Sequence, residues 1–334
     1  MEMPQDPTQN PDPSPSQGLH GVPADPPKDG WFATVKYVVR ETFSEWAKDK
    51  ASRLAAALSY YTIFSLAPLL LIAISIAGFV FGRKAATDQI VENLRGQMGE
   101  QGAQAIQTLV RNSVNKTTGI IATVIGVATL LIGASGAFGQ LQESLNTIWE
   151  VQPKPGRGWK GMLRDRLLSF ALVLLIGFLL MCTLVLSAVL SGVGKFLAEH
   201  SPFASVFMQS LNFGISFALT TALFAIVFKV LPDAYVRWRD VWAGAFLTAL
   251  LFSLGRFAFG LYLARSSVTS VYGAAGSIVV VLLWIYYSAQ ILFLGAEFTQ
   301  VYAGRHGRAI RPKPNAEPLR PPDRFSPPAG AATA

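Results

Sequence analysis

The chain has 334 residues, is half hydrophobic, carries a net charge of +8 and devotes only 14% of its residues to Asp, Glu, Lys and Arg, where a soluble domain usually devotes about a quarter. The deficit points to a membrane, and the length leaves room for one bundle of about six spans or for two soluble domains. Cys182 is the only cysteine and lies in an apolar run, which excludes an intrachain disulfide and a cysteine zinc site.

Residues 1–28 are rich in Pro, Asp, Ser and Gln. They cannot bury a core and are expected to be disordered. With no basic n-region and no apolar h-region, they are not expected to be a cleaved signal peptide. Trp31, Phe32, Val35, Val38, Val39 and Trp46 then recur at helical spacing, with Lys36, Arg40 and Lys48 between them. This fits an interfacial helix over 31–50 on the cytoplasmic leaflet, or a soluble helix capping the bundle.

The first apolar run, 54–82, is free of charge for 29 residues, about 43 Å as a helix, so it should tilt or kink. It contains LSYYTIFSLAPLLL, residues 58–71. Pro68 removes a backbone hydrogen bond and should kink the helix near Phe64 and Ser65. Thr62, Ser65 or water could then meet the freed carbonyls. Tyr60 and Tyr61 are either an aromatic belt or part of a polar cavity open to the cytoplasm. An outer loop over 85–116 reads as helical, with a break near Gly99 to Gly102.

The second run, 119–138, should continue as a helix to Trp149 through GASGAFGQLQESLNTIW. Gly133, Gly136 and Gly139 allow close helix approach, or mark a loosened helix lining a cavity. Gln140, Gln142 and Asn146 follow at its cytoplasmic end. The third, fourth and fifth runs are 167–193, 207–231 and 241–263. Arg256 lies within the fifth, roughly 10 Å from its outer end. It either snorkels to outer headgroups, bonds backbone carbonyls, or faces inward to receive an anionic substrate or lipid phosphate. The sixth run, 273–302, begins YGAAGS and carries Tyr286, Tyr287 and Gln290 in its cytoplasmic half. Tyr286 and Gln290 share a face. Glu297, the only acid deep in this run, falls near the cytoplasmic end, at a different depth from Arg256. Residues 304–334, rich in Arg and Pro, read as a disordered basic tail.

Charge placement sets the expected topology. With both termini inside, cytoplasmic segments hold 20 Lys and Arg and outer segments seven, which favours an N-in, C-in bundle of six spans. The same bias accounts for the basic charge without nucleic acid. No internal repeat is apparent. Three histidines, His20, His200 and His306, are scattered, and there is no HExxH, GxSxG or GxxxxGK[ST] motif. No catalytic, metal or cofactor site is expected. That leaves polar residues within the spans as candidate cavity or substrate contacts: Arg256, Tyr60, Tyr61, Ser65, Pro68, Gly136, Gln140, Tyr286, Gln290 and Glu297.

Four segments carry a family resemblance: AAALSYYTIFSLAPLLL (55–71), GASGAFGQLQESLNTIW (133–149), LPDAYVRWRDVWAGA (231–245) and YGAAGSIVVVLLWIYYSAQILFLGAEFTQVYA (272–303). Together they resemble the YihY/virulence factor BrkB family of bacterial inner-membrane proteins over about residues 30–304. The resemblance implies a polytopic protein of the bacterial inner membrane. Some members of that family are linked to export of envelope lipid or lipopolysaccharide and others to serum resistance. It carries over no catalytic residue, and an old ribonuclease label within the family finds no metal or acid–base constellation here. The expectation is an all-α membrane protein that handles an anionic, lipid-like envelope molecule, with membrane lipids as partners. A scaffold recruiting envelope partners through its tails and outer loop is the alternative, and a nuclease a distant third. Substrate, direction, energy source and oligomeric state are not legible.

Overall fold

The computed structural model describes residues 30–82, 135–155, 202–265, 276–306 and 310–319, with helical pieces between 87 and 108. The N-terminal tail, most of the predicted second span, all of the third, and the residues after 319 lie outside the described residues, as do the side chains of 67–81. The described part is mainly helical. Its elements are α1 (Trp31–Lys48), α2 (Ala51–Phe81), α3 (135–148), β1 (Val151–Pro153), α4 (Pro202–Val230), β2 (Ala234–Tyr235), α5 (Trp238–Arg265), α6 (Gly276–Arg305), β3 (Arg311–Pro312) and β4 (Ala316–Pro318).

α1 buries Val38 and Thr42 and exposes Phe32, Val35, Val39 and Phe43, which follow one another at helical spacing. It ends at Asp49, and Lys50 turns the chain through the left-handed region with φ 53°. The Lys50 carbonyl accepts the amides of Arg53 at 2.7 Å and Leu54 at 3.3 Å, which opens α2. Glu150, with φ 52°, turns the chain from α3 into β1 in the same way. Neither is glycine, so each turn stores backbone strain of order 1 kcal/mol that surrounding contacts must hold.

α2 runs unbroken through Pro68. The Ser59, Thr62 and Ser65 hydroxyls donate to the carbonyls of Ala55, Leu58 and Thr62 at 2.7, 2.7 and 3.0 Å. They therefore do not serve the Phe64 carbonyl, which cannot receive an amide from Pro68. The hydroxyl groups that the sequence offered for a cavity are satisfied within their own helix.

Three helices among the described residues are long and apolar enough to cross a membrane: Val206–Val230, Trp238–Tyr262 and Ile278–Arg305. They coincide with the fourth, fifth and sixth predicted runs. α5 shows how such a helix is patterned. Trp238, Trp242, Phe246, Leu250, Leu254, Phe257 and Leu261 form an exposed stripe, while Val241, Ala245, Thr248 and Ala249 are buried. Large apolar groups outside and small or polar ones inside invert a soluble helix and suit hydrocarbon.

α6 is the central helix, packed against α1, α2 and α5, with α4 on α5. One core joins Ala51, Ala55, Leu145, Ile148, Trp149, Phe228, Val241, Ala245, Phe293 and Ala296. These belong to the α1–α2 turn, the end of α3, the end of α4, the start of α5 and the end of α6, so they mark one end of the bundle. A second, more aromatic core at the other end joins Phe259, Val280, Val281 and Trp284 to Ile106. Ile106 belongs to the predicted outer helical loop, which is helical wherever described and packs onto that end.

The C-terminal segment requires a correction. Residues 304–334 read as a disordered tail, yet α6 continues to Arg305 and residues 311–318 form strands. β3 pairs antiparallel with β2, and β4 with β1. Ala316 is buried, and the Lys313 amide donates to the Asp233 carbonyl at 2.8 Å. Two-stranded ribbons leave each strand an unpaired edge, and there Pro312 and Pro318 are tolerated.

Candidate functional site

α5 and α6 cross through a reciprocal pair of glycine contacts. α5 carries Gly244 and Thr248, and α6 carries Gly295 and Thr299, each pair four residues apart. Thr248 donates to the Gly244 carbonyl at 2.7 Å and Thr299 to the Gly295 carbonyl at 2.8 Å. Each threonine then fills the space over the opposite glycine. A Cβ on Gly244 would lie 1.7 Å from Thr299 Oγ1, and one on Gly295 would lie 1.8 Å from Thr248 Oγ1. Only glycine permits this approach. The repeated sequences GAFLT and GAEFT carry the signal, which pattern reading missed because they lie in different apolar runs.

Toward the aromatic end the same seam continues with Gly255, over which the Tyr287 hydroxyl would sit 2.0 Å from an added Cβ. Arg256 follows directly. It is half-buried in a helix long enough to span, and no hydrogen bond or ion pair joins it to a described residue. Glu297 does not pair with it, as the difference in depth predicts. Tyr287 is the tyrosine over Gly255, stacked with Phe259 at 6.1 Å. Tyr286 instead packs against the first core.

The predicted tyrosine pair divides. Tyr60 is 60% exposed and makes edge contacts with Tyr61 and Phe64 at 5.7 and 5.0 Å. Tyr61 lies over Gly136, where an added Cβ would stand 2.8 Å from its ring. The structure therefore brings α2 and α3 together at Tyr61 and Gly136. Ser65 and Gln140 bond locally, Gln140 to Ser144 at 3.3 Å. Gln290 Oε1 and both Glu297 carboxylate oxygens are buried without a described partner. Pro68 is described in backbone only.

The polar centre that sequence reading passed over is Asp233, in the LPDAYV loop between α4 and α5. It is 4% exposed. Its carboxylate accepts from Asn146 at 3.1 Å, Gln142 at 3.3 Å and Asn315 at 3.0 Å, and its amide donates to Asn146 Oδ1 at 2.8 Å. Lys313 adds its ammonium to the Pro232 carbonyl at 2.6 Å. One carboxylate thus ties α3, the α4–α5 loop and the C-terminal strands. Gln142 and Asn146 had been read as polar groups at a helix end. Their four-residue spacing, with an Asp in a Pro-containing loop, was the available signal.

Beside this hub lies an acidic corner. Asp49, at the α1–α2 turn, has its carboxyl pushed up to about 7, first by burial and then by Glu45 and Glu150. Lys48 donates to Glu45 at 2.6 Å, and this bond raises the lysine above its ordinary range. Among the described residues, no group of three His, Cys, Asp or Glu is placed to hold a metal ion.

Comparison with known proteins finds relatives named as membrane proteins. The family described as virulence factor BrkB matches residues 42–320, a range that takes in the C-terminal strands. A UPF0761 membrane protein of Alkalilimnicola ehrlichii is 27% identical over 77% of this chain and 56% of its own length. One from a Psychrobacter species is 26% identical over 80% of this chain and 48% of its own. One from Haemophilus influenzae is 28% identical over 76% of this chain and 91% of its own. The chain thus spans about half the length of the first two relatives and most of the third. No solved structure matches.

Proposed function

The chain belongs to the virulence factor BrkB family, and we propose that it moves or handles an anionic, lipid-like molecule of the cell envelope and is not an enzyme. In this reading it crosses the bacterial inner membrane six times, with both termini and the Asp233 end in the cytoplasm. The bias of 20 inner to seven outer Lys and Arg supports that orientation. Membrane lipids are its partners.

The observation that carries the reading is Arg256. A guanidinium half-buried in a helix of spanning length, with no described carboxylate beside it, is costly in hydrocarbon unless an anion or water meets it. An anionic headgroup would supply that partner.

Native mass spectrometry of gently purified protein, wild type against Arg256→Ala, tests this. A defined anionic lipid retained by the wild type and lost from a folded variant is the expected result. The same lipid mixture on both would return Arg256 to snorkelling and leave the scaffold reading in front. Removing the N-terminal 28 residues should then leave function intact in a transporter and abolish it in a scaffold that acts through that tail.

A further inference from the structure

Glu297 lies on α6 between Gly295 and Thr299, the two residues that lock α6 to α5. It is 0% exposed, and both carboxylate oxygens lack a described partner. A buried carboxylate is normally paired, bonded or neutralised. Here the charges that act on it are Asp49, Glu45 and Glu150, against Lys48 alone. α1 with its turn supplies Glu45, Lys48 and Asp49, and Glu150 closes α3. α2 turns Ala51 and Ala55 inward and Arg53 outward, and α5 supplies Asp240, buried in its first turn. Arg305, at the end of α6 itself, is engaged by Thr34 at 2.7 Å.

The corner therefore concentrates carboxylates around one buried acid that no described cation neutralises. A carboxyl oxygen so placed can be satisfied by carrying a proton. The geometry points to Glu297 as a buried proton-binding site, reached from the cytoplasmic solvent through half-buried Asp49. Asp49, whose carboxyl is pushed up to about 7, exchanges protons at ordinary cellular pH. The inference does not depend on a lipid at Arg256. It supplies the acids that a proton path needs and that sequence reading could not place, since Asp49 and Glu150 lie far from Glu297 along the chain.

A hydrophobic carbodiimide, which modifies protonated carboxyl groups in apolar surroundings, tests this on the full chain in detergent, with peptide mass spectrometry locating the adduct. Glu297 should be modified at about pH 6 and its rate should fall about tenfold per pH unit above its midpoint. Sodium at fixed pH should not change the rate. Asp49→Asn, by removing a neighbouring negative charge, should move the profile to lower pH, a shift that reagent chemistry alone does not produce. Glu143, exposed to solvent on α3, serves as the internal control. No adduct at any pH on folded protein, a pH-independent rate or a profile unmoved by Asp49→Asn would overturn the proposal. Protection by sodium would overturn it in favour of a metal-cation site.

Discussion

The two ends of the bundle are held by different physics. At the Asp233 end, directional hydrogen bonds join α3, the α4–α5 loop and residues 313–315. At the other end Phe252, Phe259, Trp284 and Tyr287 meet ring to ring, at centroid distances of 5.1–6.5 Å, and the hydrogen bonds described nearby are local. Directional bonds fix register, because a shifted donor loses its acceptor. Ring contacts fix separation but tolerate sliding by a fraction of a turn. On this comparison the Asp233 end is an anchor that should hold its register more strictly than the aromatic end, the end expected to move if either does.

The largest effect should come from breaking the anchor. Asp233→Ala leaves the buried Asn146 amide without its acceptor and removes the bonds from half-buried Gln142 and Asn315, at a cost of about 3 kcal/mol. Unfolding in detergent should show the loss, and trypsin should cut at Arg237 or Arg305, which flank the Asp233 loop and the C-terminal strands, far faster than in the wild type. A variant as stable and as protease-resistant as the parent would remove the hub from this account.

The seam between the ends ranks next. Gly295→Ala or Gly244→Ala drives a methyl into a threonine and should cost about 1–3 kcal/mol. Thr299→Ala should recover part of the Gly244→Ala loss, and the double-mutant cycle measures the coupling. Gly255→Ala, at the aromatic end, should cost nearer 1 kcal/mol, since the colliding group is the far end of the Tyr287 ring, which can swing aside. Equal losses at Gly244 and Gly255 would contradict a rigid anchor with a movable opposite end.

Which parts were readable from sequence follows the same division. Helices α4, α5 and α6 are legible because hydrocarbon imposes one rule, about twenty mainly apolar residues with few charges, and each meets it. The α1 helix was legible from Val35, Val39 and the interleaved Lys36 and Arg40. Arg256 announced itself as a charge inside such a run. Asp233 did not, because its value lies in partners 87 and 82 residues away, a distance at which spacing carries no information. The C-terminal strands were hidden for a related reason. A segment rich in Pro and Arg has no core of its own, and its order is imposed by Asp233 and by β1 and β2. What sets Tyr287 apart from the predicted candidate Tyr286 is the glycine opposite it, again a long-range fact.

Titration sharpens the contrast within the anchor itself. The folded-state value of Asp49 lies above its ordinary 3.8, at about 7. The folded protein therefore binds this proton more tightly than the unfolded chain. The associated stability is fully present below about pH 3.8, declines through the interval, and is gone above about pH 7. Asp49→Asn should thus stabilise the protein at pH 8 by on the order of 1 kcal/mol, after discounting for solvent screening, and should change little at about pH 4. Denaturation at the two pH values reads the difference. An equal gain at both would show that the side chain is not titrating in this window.

The smallest effect belongs to the charges of the opposite end. Arg95 pairs with Glu92 and, at 2.6 Å, with Glu100. All three are exposed, at 42%, 63% and 56%. Water already solvates each charge there, and holding three long side chains in one geometry offsets most of the attraction. Arg95→Ala should therefore change stability by less than about 0.5 kcal/mol, and raising the salt concentration should erase even that. The prediction matters because proximity alone would rank this cluster beside the Asp233 hub. Burial separates them, since Asp233 and Asn146 have no water to return to when a partner is lost, whereas Glu92 and Glu100 do. A loss at Arg95 comparable to that at Asp233 would mean that the stretch over 87–108 is a second anchor, and the movable end would have to be sought elsewhere.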